Sequence, residues 1–138
     1  MSPNLAYLKS RVNSATPVGL IVLLYEGMIR FASDAREMLS QTEPSIPDAA
    51  NAVRRSIDIL TGLNSSLRYE AAPELCDRLS GLYAFFTEEM HLALQGREPE
   101  RITKILPLME ELLTAWREAE MQVTSTGESS QPPTGQSS

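Results

Sequence analysis

Few side chains in this sequence have reactive potential, and the only histidine tests most of the chemistry they could support. Glu88 and His91 form a Glu-x-x-His pair, the spacing by which di-iron bundles set two metal ligands on one helix face. Such a centre needs the pair twice. With one His in the chain and no Glu on the second helical segment before Glu70, the ligand set falls short. The other use of His91 is phosphotransfer, in which an exposed bundle histidine accepts a phosphoryl group. Those domains place a glycine one turn after the histidine to make room for phosphate. Here Gln95 stands in that place, and Gly96 follows where it suits a helix end. Cys76, the single cysteine, reads as a small core hydrophobe. No serine or threonine has an assignable base partner, and no glycine-rich phosphate loop is present. Trp116, Tyr83, Phe85 and Phe86 read as core or groove lining. The expectation is a protein that is not an enzyme and holds no cofactor or metal, with His91 a solvated surface residue. Phosphotransfer through His91 is the alternative.

Four amphipathic segments must position these residues, each showing an apolar seam at alternating steps of three and four. The first runs from Pro17 to about Leu39 along Ile21, Tyr25, Met28, Ala32, Ala35 and Leu39. Thr16 is its expected N-cap, with Pro17 at the first helical position, where a missing N–H costs nothing. The unbroken apolar run Leu20 to Tyr25 is wider than one stripe, so this helix should be covered on two sides. Pro44 and Pro47 end it. Ser45 and Asp48 then stand at capping-box spacing, and a second helix is expected to about Tyr69 with Val53, Ile57, Leu60 and Leu67 inward. A third opens at Pro73, carries Cys76, Leu79, Tyr83, Phe86, Met90 and Leu94, and should stop at Gly96. The fourth begins near Pro99 and continues through Ile102, Leu106, Met109, Leu113 and Trp116 to about Met121. Pro107 should kink it. From Thr124 the chain is polar, with one charge at Glu128, and reads as a disordered tail. The fold expected is all-α: an antiparallel up-and-down four-helix bundle over residues 1–123, with residues 1–16 as an N-terminal cap segment and 124–138 as the tail.

The bulk numbers narrow the partners. A chain of 138 residues with one Cys suits a single domain in a reducing compartment, and a cytoplasmic location is expected. The run Val18 to Tyr25 starts too late for a signal peptide and is too short for a membrane span. A formal net charge of -6 argues against nucleic acid. What remains is apolar surface that the seams do not use: Leu20, Leu23, Leu24, Ile59, Leu63, Leu82 and Phe85, with Met28 at the edge. These fit either a wide core or a groove for a partner's amphipathic helix. Leu5, Tyr7, Leu8 and Val12 are apolar beads on a polar lead-in, suited to lie over such a groove or to contact the partner directly.

The stretch Ala6 to Phe31 resembles the secreted-flagellin chaperones, the FliS family. Tyr7, Val12, Ala15, Thr16, Pro17, Leu20, Leu24, Tyr25, Gly27 and Phe31 fall in register with that family's pattern. Leu79, Leu82 and Tyr83 match further on, as do Leu112 and Trp116. Gly19 departs from it, standing where the family usually has Glu, so Thr16 lacks a reciprocal capping partner. The resemblance implies a cytosolic export chaperone that binds the disordered C-terminal region of flagellin. It would prevent premature polymerisation and deliver its client to the flagellar type III export apparatus. The partner-binding residues then expected are the lead-in beads and the surplus apolar residues of the first three helices.

Overall fold

The computed structural model describes residues 16–126, and side chains as far as residue 123. Four helices follow one another: α1 Pro17–Leu39, α2 Ile46–Ser65, α3 Pro73–Gly96 and α4 Pro99–Thr126. α1 packs on α2 and α4, and α3 packs on the same two, so α1 and α3 stand on one diagonal of an antiparallel bundle. No described helix is long and apolar enough to cross a membrane.

The expected start signals act as read. The Thr16 hydroxyl accepts a hydrogen bond from the Gly19 amide at 2.9 Å, which caps α1 without the reciprocal acid. Ser45 does the same for Asp48 at 3.4 Å at the start of α2. The seams of α1, α3 and α4 supply most of the core, with Tyr25, Met28, Phe86, Met90, Ile102, Ile105 and Met109 fully buried. Each such side chain contributes roughly 1.5–3 kcal/mol of transfer free energy. The α1–α2 interface is made differently, from Ala32, Ala35, Ala49 and Ala52. These short side chains let the backbones approach until the buried Ser56 hydroxyl donates to the Met28 carbonyl across the interface at 2.9 Å.

Two boundaries differ from expectation, the ends of α2 and α4. α2 ends at Ser65 rather than near Tyr69. The Ser65 and Ser66 hydroxyls donate to the carbonyls of Thr61 and Leu63 at 2.9 and 2.8 Å, satisfying the end of the helix locally. Leu67 still packs on the core, but from outside the helix, and Ile57 is only half-buried. α3 stops at Gly96 as expected, and the turn beyond it is made by Arg97, which takes the left-handed conformation at φ 54°. Its neighbour's amide reaches back from Glu98 to the Ala93 carbonyl at 2.9 Å, as a Schellman turn requires. α4 passes through Pro107 without interruption and reaches Thr126, into the segment expected as tail.

Candidate functional site

Because Thr16 and Pro17 fix the start of α1, Leu20, Leu24, Gly27 and Phe31 follow at steps of four, three and four and share one flank. Arg55, Ile59 and Gly62 repeat the pattern on α2. Two contacts set the antiparallel register between these flanks. The Arg55 guanidinium lies 5.5 Å from the centre of the Phe31 ring, and a Cβ placed on Gly27 would meet Ile59 Cδ1 at 3.3 Å. Continuing that register by one turn sets Gly62 across from Leu24, with Leu20 beyond. Among the described residues, no atom lies within 4 Å of where a Gly62 Cβ would stand. The result is an outward-facing apolar flank, crossed by Ile59 over Gly27, along which Gly62 is exposed. Leu20 is 40% exposed, and Leu23, Leu24 and Ile59 are half-buried.

Around the end of the bundle, Leu63, Leu67, Leu75, Leu79, Tyr83 and Trp116 help to enclose an apolar pocket of about 190 Å³. Leu75 is half exposed at its mouth, and Cys76 stands in its wall. Behind it, the buried hydroxyls of Tyr25 and Tyr83 hydrogen-bond to each other at 2.8 Å across the diagonal. The Tyr25 ring packs edge-on to Tyr83 at 6.5 Å and tilted against Trp116 at 6.3 Å. Burial pushes both phenols above their ordinary range, Tyr83 further because its partner's hydroxyl adds to the effect. They are therefore neutral hydrogen-bonding groups at physiological pH. An ion pair between Glu26 and Arg117 at 3.0 Å ties α1 to α4 beside this cluster. Such surfaces can bury apolar side chains of a partner. Among the described residues, no group of three or more His, Cys, Asp or Glu is placed to hold a metal ion, and Glu88 and His91 are both exposed on α3.

The residues expected to form one groove separate into several groups. Leu20, Leu24 and Ile59 share the α1–α2 side, and Leu23 is half-buried elsewhere on α1. Met28 and Leu63 are core residues, 0% and 2% exposed, with Leu63 forming part of the pocket. Leu82 and Phe85 share a stripe of α3 with Glu89. Glu89 is buried and paired with Arg101 and Lys104 of α4 at 3.3 Å each, so that stripe faces α4, on the opposite side of the bundle from α1–α2. Leu5, Tyr7, Leu8 and Val12 lie outside the described residues. Sequence reasoning passed over Arg55 and Gly62 on the α1–α2 flank and Leu75 at the pocket mouth. The flank shared by Leu20, Leu24, Gly27 and Phe31 was the available signal for the first two.

The sequence model of the family described as Flagellar protein FliS matches residues 1–123. The Flagellar secretion chaperone FliS of Campylobacter jejuni subsp. jejuni serotype O:6 (strain 81116 / NCTC 11828) is 34% identical over 121 residues, which cover 86% of this chain and 93% of that protein.

Proposed function

Since the chain belongs to the FliS family, we propose that it is a flagellar secretion chaperone of the cytoplasm that binds the disordered C-terminal region of flagellin. Binding covers a segment needed for filament assembly and holds the client until the flagellar type III export apparatus receives it. The action is by binding alone, with no catalytic step. The observation that carries this reading is the apolar pocket under Trp116, beside the partly exposed Leu20, Leu24 and Ile59, in a chain of this family. A disordered client that folds as it binds loses ordering entropy, which keeps the complex releasable despite a large contact area. Leu5, Tyr7, Leu8 and Val12 belong to the same binding surface, as cover or as contacts.

Size-exclusion chromatography of the full chain mixed with the C-terminal region of its cognate flagellin tests the proposal. A stable complex at micromolar concentration is the expected result; separate elution of the two at that concentration refutes it. Phosphotransfer through His91 makes the opposite demand, that the chain take up label from a phosphorylated response regulator and that His91→Ala abolish the uptake. No labelling is expected.

A further inference from the structure

Tyr25 is fully buried and does not line the pocket at the Trp116 end of the bundle, yet it touches two of that pocket's walls. Its place follows from the α1 pattern: Ile21, one turn earlier on the same helix, lines the pocket, and Tyr25 stands one turn further into the bundle. From there its hydroxyl meets that of Tyr83, the pocket residue of α3, at 2.8 Å. Its ring packs edge-on to Tyr83 and lies tilted against Trp116, the pocket residue of α4. One side chain of α1 thus braces the walls that α3 and α4 contribute. An edge-on aromatic contact alone tolerates sliding. A hydrogen bond between two buried hydroxyls fixes one orientation, because burial leaves neither of them free access to water.

The pocket is small, about 190 Å³, against roughly 300–1,000 Å³ for small-molecule sites. With mostly apolar walls it suits one large apolar side chain, and a wall displaced by about 1 Å is enough to loosen a site of this kind. We propose that Tyr25 is a positioning residue for client binding: its hydroxyl bond to Tyr83 and its ring contact with Trp116 hold the pocket in the shape that accepts one apolar side chain of the client. Without the Tyr25 hydroxyl, Tyr83 keeps a buried O–H with no partner. Water can reach that group only through the recesses that Tyr83 lines, this pocket and the more polar one between α2 and α3. Either route shifts Tyr83 or hydrates the space beside it. This assignment rests on the chaperone reading above and names a residue that tunes the affinity of that site without touching the client.

The test uses the full chain, the flagellin C-terminal region and titration calorimetry, with Ser56→Ala as the control. Ser56 is another buried hydroxyl whose hydrogen bond joins two helices, to the Met28 carbonyl at 2.9 Å, but it lies outside the pocket. Both Tyr25→Phe and Ser56→Ala remove a buried hydrogen bond between helices, so both should lower the urea midpoint. Only Tyr25→Phe should weaken client binding, by about five- to tenfold. Trp116, the only tryptophan of the chain, reports on the pocket wall directly. Acrylamide should quench its fluorescence more readily in Tyr25→Phe than in the parent, and no more readily in Ser56→Ala. If the parent binds and Tyr25→Phe binds within about twofold of it, or if Ser56→Ala loses as much affinity or gains as much quenching, Tyr25 is a core residue only and the assignment is overturned while the chaperone reading stands. If the parent itself fails to bind, both fall.

Discussion

Alanine placed at two helical glycines should move stability in different directions, because the same added methyl meets different surroundings. At Gly81 on α3, no atom lies within 4 Å of the new Cβ. The substitution then acts through backbone entropy and helix propensity alone, stabilising by about 0.8–1 kcal/mol. For a domain of this size that raises Tm by about 4 °C. Gly27→Ala has the same propensity gain, but its methyl would stand 3.3 Å from Ile59 Cδ1 at the close α1–α2 crossing. Ile59 packs against the core, so its Cδ1 must shift by a few tenths of an ångström against those contacts. Overpacking of this kind costs about 1–3 kcal/mol, so the gain is cancelled or reversed. The two variants should therefore differ by the overpacking cost itself, about 1–3 kcal/mol. Urea titration followed by circular dichroism would read this as a higher midpoint for Gly81→Ala and an unchanged or lower one for Gly27→Ala, with the slope unchanged in both. Equal gains at both sites would refute the packing argument at Gly27, and no gain at Gly81 would show that its helix face is not open.

Tyr25→Phe should cost about 1–2 kcal/mol, because it leaves the buried Tyr83 hydroxyl without its 2.8 Å partner. A cycle with Tyr83→Phe should show the double variant less destabilised than the sum of the singles. Both phenols are raised by burial, so the folded state holds them protonated where the unfolded chain would ionise. Their contribution is complete below the ordinary tyrosine pKa of about 10 and is lost as pH rises beyond it. Alkaline titration by tyrosinate absorbance should therefore show these two ionising together with unfolding. Arg97→Gly should stabilise by about 1 kcal/mol, since an L-residue pays about that much for the left-handed conformation that Arg97 adopts at φ 54°. A rise in urea midpoint would record it.

Helix starts were legible because their signals are local: Thr16 before Pro17, Ser45 after Pro44, Pro73 and Pro99 each give the backbone a reason to begin there. Ends were harder. The apolar Leu67 continues the α2 seam on paper, but serine hydroxyls at Ser65 and Ser66 compete for the last carbonyls and stop the helix earlier. Arg97 was unreadable as the turn residue because Gly96 offered the cheaper conformation one position sooner. At Gly96 an added Cβ would stand 3.0 Å from the Glu98 side chain, so the glycine there makes room instead. The surplus apolar residues were legible as surplus, but not as groups. Which neighbour a flank faces depends on bundle order, and only that order sets Leu82 and Phe85 toward α4 while Leu20 and Ile59 turn to the α1–α2 side. The burial of Glu89 had a weak signal, two cations on the following helix, that pattern reading does not weigh.

The first and last helices meet, and this contact has a consequence for biosynthesis. Glu26 and Arg117, beside the Tyr25–Trp116 contact, are 91 residues apart in the chain. At roughly 5–20 residues per second, a ribosome takes about 5–20 s to supply the second partner after the first. Once α2 has been made α1 can pair with it, but until Trp116 follows, the Tyr25 side of the helix has no cover and the pocket lacks a wall. A nascent chain therefore has the α1–α2 pairing before the pocket exists, and the pocket is complete only once α4 has been made.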